Sequence, residues 1–127
     1  MLNECYNAII GTINNYFLKI LEMAVEVLND ENFQSTISTN EKTIVKYYAG
    51  WCGSCRLFAP KFKRMSNDEQ YAGINFVDVD AEKSPEARKL AGVTNLPFFA
   101  VFKGDQLIDA VATNKEDSVV SLLEKLK

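Results

Sequence analysis

Thr43-Ile44-Val45-Lys46-Tyr47-Tyr48, followed at once by Ala49-Gly50-Trp51-Cys52-Gly53-Ser54-Cys55, is the stretch on which the fold turns. The run from Thr43 to Tyr48, rich in β-branched and aromatic residues, reads as a buried strand, and Arg56 to Met65 reads as a helix. Two thiols therefore sit where a strand's exit becomes a helix's first turn. Residues three apart on a helix are neighbours, which puts the two Cβ atoms within a bridging range of roughly 4 Å. The helix N-terminus presents free N–H groups and the positive end of the helix dipole, which favours thiolate over thiol at Cys52. Such a pair can close and open a disulfide without moving the scaffold.

Upstream, Tyr6, Ile9, Ile10, Ile13, Phe17, Ile20 and Leu21 recur at helical spacing, so residues 4–22 read as an amphipathic helix, weakened by Gly11. Ala24 to Leu28 reads as a strand, and Asn29 or Asp30 as the cap of a short helix ending near Ile37. The motif helix is expected from Cys52 to about Asn67, with a kink at Pro60. Ile74 to Val79 is the next strand; Ser84-Pro85-Glu86 opens a helix, with Ser as cap and Pro in its first turn, and Gly92 closes it. Phe98 to Phe102 and Leu107 to Val111 form a hairpin around Lys103-Gly104-Asp105. The last helix, Lys115 to Lys127, turns Val119, Val120, Leu122, Leu123 and Leu126 inward. The order of these elements implies an α/β fold with a mixed sheet covered on both faces.

A length of 127 residues suits one domain with a real core, and 47% hydrophobic with 24% charged residues is ordinary for a globular chain. A net charge of −3 supplies no field that would gather nucleic acid or anionic lipid. Lys61, Lys63 and Arg64 read as a solvated helix face rather than a phosphate patch. Three cysteines are too few, and odd in number, for a secreted disulfide scaffold. No basic leader precedes an apolar core and no run of 18 apolar residues exists, so the cytoplasm is the default compartment.

Cys52-Gly53-Ser54-Cys55 with Trp51 before it, Phe58-Ala59-Pro60, Val77-Asp78-Val79-Asp80, Gly92-Val93, Leu96-Pro97 and Phe102-Lys103-Gly104 together resemble the thioredoxin family. A Cys-x-x-Cys pair inside a strand–helix unit is in itself a general mark of such folds. The resemblance spans residues 23–127 and leaves 1–22 as an N-terminal extension. It implies a three-layer sandwich with a mixed five-stranded sheet flanked by helices, plus the extra N-terminal helix. It implies a thiol–disulfide oxidoreductase, a protein-disulfide reductase working through a mixed disulfide, with Cys52 as nucleophile and Cys55 as resolver. Pro97 is then in a cis peptide facing the cysteines, and Trp51, Gly53, Leu96 and Pro97 shape the substrate surface. No cofactor beyond the redox-active disulfide is implied. The partners are disulfide-containing proteins and an NADPH-dependent flavoprotein reductase that recharges the pair.

Four positions depart from the family pattern. Ser54 stands where a proline is usual, which frees φ and restores an N–H at the helix start. Lys46 occupies the place of a buried Asp that handles the resolving thiol's proton, Phe76 that of the Lys facing it, and Ala112 that of a small Gly in the groove. The helix between Asp80 and Gly92 is about two residues longer than is common.

Each feature has a plainer alternative. Zinc would need about four ligands, and with Cys5 the only other thiol and no histidine the chain is short of them. Pro97 has an ordinary trans turn as its alternative, and Trp51 a partly buried core position. Lys46 either reaches water or an acid such as Asp78, or places its cation near Cys55 and favours that thiolate. The stretch 4–22 packs on its own domain or joins two copies; a membrane attracts it least, because Glu4, Lys19 and Glu22 give it no basic bias. The second functional reading is a non-catalytic binding module or adaptor using the Trp51 and Leu96–Phe98 surface.

Overall fold

A computed structural model of the protein describes residues 25–127; the expected helix over 4–22, Cys5 and the boundary at Met23 lie outside the described residues. Five strands form one sheet: β1 (Glu26–Leu28), β2 (Lys42–Tyr48), β3 (Asn75–Asp80), β4 (Phe98–Lys103) and β5 (Gln106–Ala112). They lie in the order β1-β3-β2-β4-β5. Strands β1 and β2 both run parallel to β3, whereas β4 is antiparallel to β2 and to β5, so the sheet is mixed. Four helices cover it: α1 (Phe33–Thr39), α2 (Gly53–Ser66), α3 (Pro85–Ala91) and α4 (Glu116–Glu124).

The central strand explains the layering. β2 is buried along nearly its whole length, as a strand covered on both faces must be. Its odd-numbered residues Val45 and Tyr47 join Phe33 and Ile37 of α1 and Ala87 and Ala91 of α3 in one core. Ile44 points the other way, into a second core with Phe58, Phe62 and Met65 of α2 and Val119, Leu122 and Leu123 of α4. Cys55, Phe58, Phe62 and Met65 follow the three-four spacing of a single helix face, so burying that face seats Cys55 against the sheet. α2 continues through Pro60 to Ser66.

Lys46 belongs to the second face, where a cation is costly. It is 3% exposed, its Nζ lies 3.3 Å from Asp78 Oδ1, and the same ammonium stands 5.3 Å from the centre of the Phe62 ring. Register makes the partnership: Val27, Asp78, Lys46 and Phe99 lie side by side across four strands. Burial raises the Asp78 carboxyl above its ordinary range, and the Lys46 charge opposes that rise. Phe76, where the family resemblance places a lysine, packs on Phe62 and Tyr71.

The helix starts differ in detail from expectation. α1 begins at Phe33, because Asn29 spends its side chain on the Glu31 N–H at 3.0 Å, closing a turn ahead of the helix. Ser84 stands at the N-cap of α3 but makes no side-chain cap bond. Asp30 caps that helix from across the fold, accepting the Ala87 N–H at 2.9 Å and the Glu86 N–H at 3.2 Å. Asp30→Ala should therefore cost about 1–2 kcal/mol, read as a lower urea midpoint, whereas Ser84→Ala should cost much less. At its far end α3 stops at Gly92, whose φ of 67° is left-handed and suits glycine.

Candidate functional site

β2 ends at Tyr48, and four residues carry the chain from there to the start of α2 at Gly53. In that short passage Ala49 turns inward and Trp51 stays out. Cys52 takes the N-cap position with an extended backbone, and its sulfur accepts the Cys55 N–H at 3.2 Å. That N–H is one of the donors a helix start leaves free. The two sulfurs are joined in a disulfide with a Cα–Cα distance of 5.3 Å. Ser54 Oγ lies 3.7 Å from Cys52 Sγ, a second polar neighbour for the same sulfur.

When the disulfide opens, the groups around Cys52 suit an anion. Cys52 has an aimed backbone N–H, a nearby hydroxyl and the positive end of α2. The site is otherwise apolar: Ala49, Cys52 and Cys55 form one buried cluster against which Tyr48 and Leu96 pack. Cys52 is 4% and Cys55 2% exposed, so the disulfide shows little to solvent. Ser54→Ala removes the hydroxyl alone, and alkylation of reduced Cys52 by iodoacetamide near neutral pH should slow by about two- to threefold.

The Leu96–Pro97 peptide is cis, and the segment enters β4 at Phe98. Leu96 thus meets the sulfur cluster from a loop more than forty positions beyond Cys52. Thr113 donates its N–H to the Pro97 carbonyl at 3.1 Å, and Ala112 stands opposite Phe98 in the hairpin. Of the residues singled out from sequence, Trp51, Cys52, Gly53, Ser54, Cys55, Leu96 and Pro97 belong to these two adjoining segments. Lys46 lies deeper, on the face covered by α2, where Asp78 and the Phe62 ring are its partners.

Two neighbours of the site carry no sequence signal. Tyr48 packs on the sulfur cluster, and its phenol is pushed up by burial and then by the Asp80 and Asp78 carboxylates. Glu82 accepts a hydrogen bond from the Trp51 indole at 2.5 Å. Among the described residues no group of three or more His, Cys, Asp or Glu is placed to hold a metal ion. No helix among them is long and apolar enough to cross a membrane.

The thioredoxin family model matches residues 24–125. Thioredoxin 1 of Plasmodium falciparum is 31% identical over 99 residues, covering 78% of this chain and 93% of its own. Thioredoxin-1 of Schizosaccharomyces pombe is 32% identical over 89 residues, covering 70% and 84%. The solved Plasmodium falciparum thioredoxin superposes with a TM-score of 0.72 at 30% identity, covering 80% of this chain and 98% of that one. Motif, sheet order and these likenesses agree: the chain belongs to the thioredoxin family, and its Cys52–Cys55 pair makes it a thiol–disulfide oxidoreductase.

Proposed function

We propose that Cys52 is the attacking sulfur and Cys55 the resolving one in a general protein-disulfide reductase. The observation that carries this division of labour is the Cys55 N–H directed at Cys52 Sγ, a donor that only one of the two sulfurs receives. In the reduced protein the Cys52 thiolate attacks one sulfur of a substrate disulfide. A Cys52–substrate disulfide forms and the other substrate sulfur leaves as thiolate, taking up a proton. Cys55 then loses its proton and attacks Cys52 Sγ; the Cys52–Cys55 disulfide closes and the second substrate thiolate departs. Two electrons have passed to the substrate, and no cofactor beyond the sulfur pair is used.

Trp51, Gly53, Leu96 and Pro97 form the docking surface in this reading, with Ser54 and Lys46 as modulators. Lys46 acts through its charge: a cation held under α2 favours the Cys55 thiolate in the step that releases product. An NADPH-dependent flavoprotein reductase returns the electrons, and the cytoplasm is the working compartment. Residues 1–22 are an amphipathic extension to the domain at 23–127, and the stretch 4–22 joins two copies. Light scattering of the full chain against one starting at Met23 tests that pairing, which a monomeric mass for the full chain would refute. For the activity itself the test is turnover of insulin disulfides, first with dithiothreitol and then with NADPH and a flavoprotein reductase. Turnover with both supports the reading; none with dithiothreitol refutes it, and none with the reductase refutes that partner.

A further inference from the structure

Trp51 adjoins the attacking sulfur, yet packing does not hold it, for 67% of it is exposed. Its one polar anchor among the described residues is Glu82, whose Oε1 accepts the indole N–H at 2.5 Å from 31 positions away. Glu82 is itself held from behind. The turn that carries it leaves β3 at Asp80, whose Oδ1 accepts the backbone N–H groups of Glu82 at 3.0 Å and Lys83 at 3.3 Å. Ala81, between Asp80 and Glu82, is buried and donates its N–H to the Tyr48 carbonyl at 2.8 Å. The turn is thereby fastened to the end of β2, just before the passage that carries Trp51. A continuous set of bonds runs from the sheet through Asp80 and Glu82 to the indole beside Cys52.

We propose that Glu82 is a positioning residue for protein-disulfide substrates, fixing the Trp51 indole as a preset wall beside Cys52. The proposal rests on Cys52 being the attacking sulfur. Cys52 is 4% exposed, so a substrate sulfur must come in past the groups that flank it, Trp51 among them. A flat, exposed indole offers a large apolar contact at a low entropy cost, provided that it is already still. An untethered indole turns among its rotamers and has to be immobilised on binding, which weakens binding by roughly three- to tenfold. The bond to Glu82 makes that loss before the substrate arrives, and a carboxylate holds an N–H more firmly than a neutral acceptor does. The turn geometry set by Asp80 keeps the acceptor in place.

The chain has a single tryptophan, so its fluorescence reports on Trp51 alone. Glu82→Ala should lower the steady-state anisotropy of that fluorescence and raise KM for insulin about fivefold, with kcat nearly unchanged. Glu82→Gln, which keeps an acceptor oxygen, should restore most of both readings. Glu86→Gln, at an exposed acid on the first turn of α3, controls for lost charge and should move neither. Parental anisotropy in Glu82→Ala overturns the proposal, as does a lowered anisotropy with a parental KM. A KM change of equal size in Glu86→Gln overturns it too, because charge alone would then explain the effect. Cys52→Ser keeps the two readings apart. If that variant is inactive while Glu82→Ala matches the parent, only the role of Glu82 is lost; if it stays active, the assignment beneath it fails.

Discussion

Cys52→Ser is expected to lower insulin-disulfide reduction by more than about a thousandfold, because a hydroxyl at that position is not ionised and cannot begin the exchange. The environment of the site predicts a different outcome for Cys55→Ser. That variant keeps the sulfur that accepts the helix N–H and still attacks, but lacks the thiol 5.3 Å away by Cα that would displace the product. It should halt after one step with the substrate attached through Cys52, seen by mass spectrometry as the added mass of one substrate chain and released by dithiothreitol. If adducts accumulate on Cys52→Ser instead, through Cys55, the two roles are reversed. Full turnover in Cys52→Ser would remove the dithiol mechanism altogether.

The second large effect concerns Lys46 and Asp78. Breaking a buried ion pair from one side leaves a charge without a partner, whereas replacing both members with apolar groups of similar volume is often neutral or stabilising. The two sides differ here. Lys46 is 3% exposed and set against the Phe62 ring, while Asp78 keeps 21% of its side chain in contact with solvent. Asp78→Leu should therefore cost about 3–5 kcal/mol, because the stranded ammonium has no water to turn to. Lys46→Met should cost less, about 1–2 kcal/mol, since Asp78 can reach solvent or take up a proton. The double variant Lys46→Met/Asp78→Leu should recover most of the loss, and the cycle is read by urea unfolding. Additive losses in the double variant would show that the two groups are not coupled.

The same pair sets a pH dependence whose sign can be worked out. Burial raises the Asp78 carboxyl above its ordinary range, with Lys46 pulling it back down. An acid whose folded value is raised stabilises the fold in its protonated form. That contribution is complete below the unfolded carboxylate range and is lost as pH rises through the folded value. Removing Lys46 removes the opposing pull, so Lys46→Met should gain stability relative to the parent as pH falls from neutrality toward the ordinary carboxylate range. A parallel pH profile for the two proteins would refute the coupling. Mixed-disulfide release measured in the same variant tests the proposed influence of Lys46 on Cys55: a slower release supports it, and the parental rate excludes it.

Most of this architecture was legible along the chain because its signals are local. Runs of apolar and β-branched residues marked the five strands, and helical spacing marked the inward face of α4, with Val119, Leu122 and Leu123. Gly92 announced the end of α3 because a left-handed residue there favours glycine. Helix starts were harder to read. Asn29, Asp30 and Ser84 all look like caps in sequence, yet Asn29 closes a turn, Ser84 makes no cap bond, and Asp30 caps a helix 57 positions away. A short polar side chain suits several such roles, and only the packed fold chooses among them.

By itself, then, the order of residues determined the element types and placed the two cysteines at a helix start. Tertiary structure chose between the alternatives for Lys46, giving it Asp78 through strand register, and it alone brought Glu82 to Trp51. The physical reason is range. Helical and strand periods act over a few residues, whereas these contacts join segments tens of positions apart, and they exist only once the sheet has ordered its strands β1-β3-β2-β4-β5.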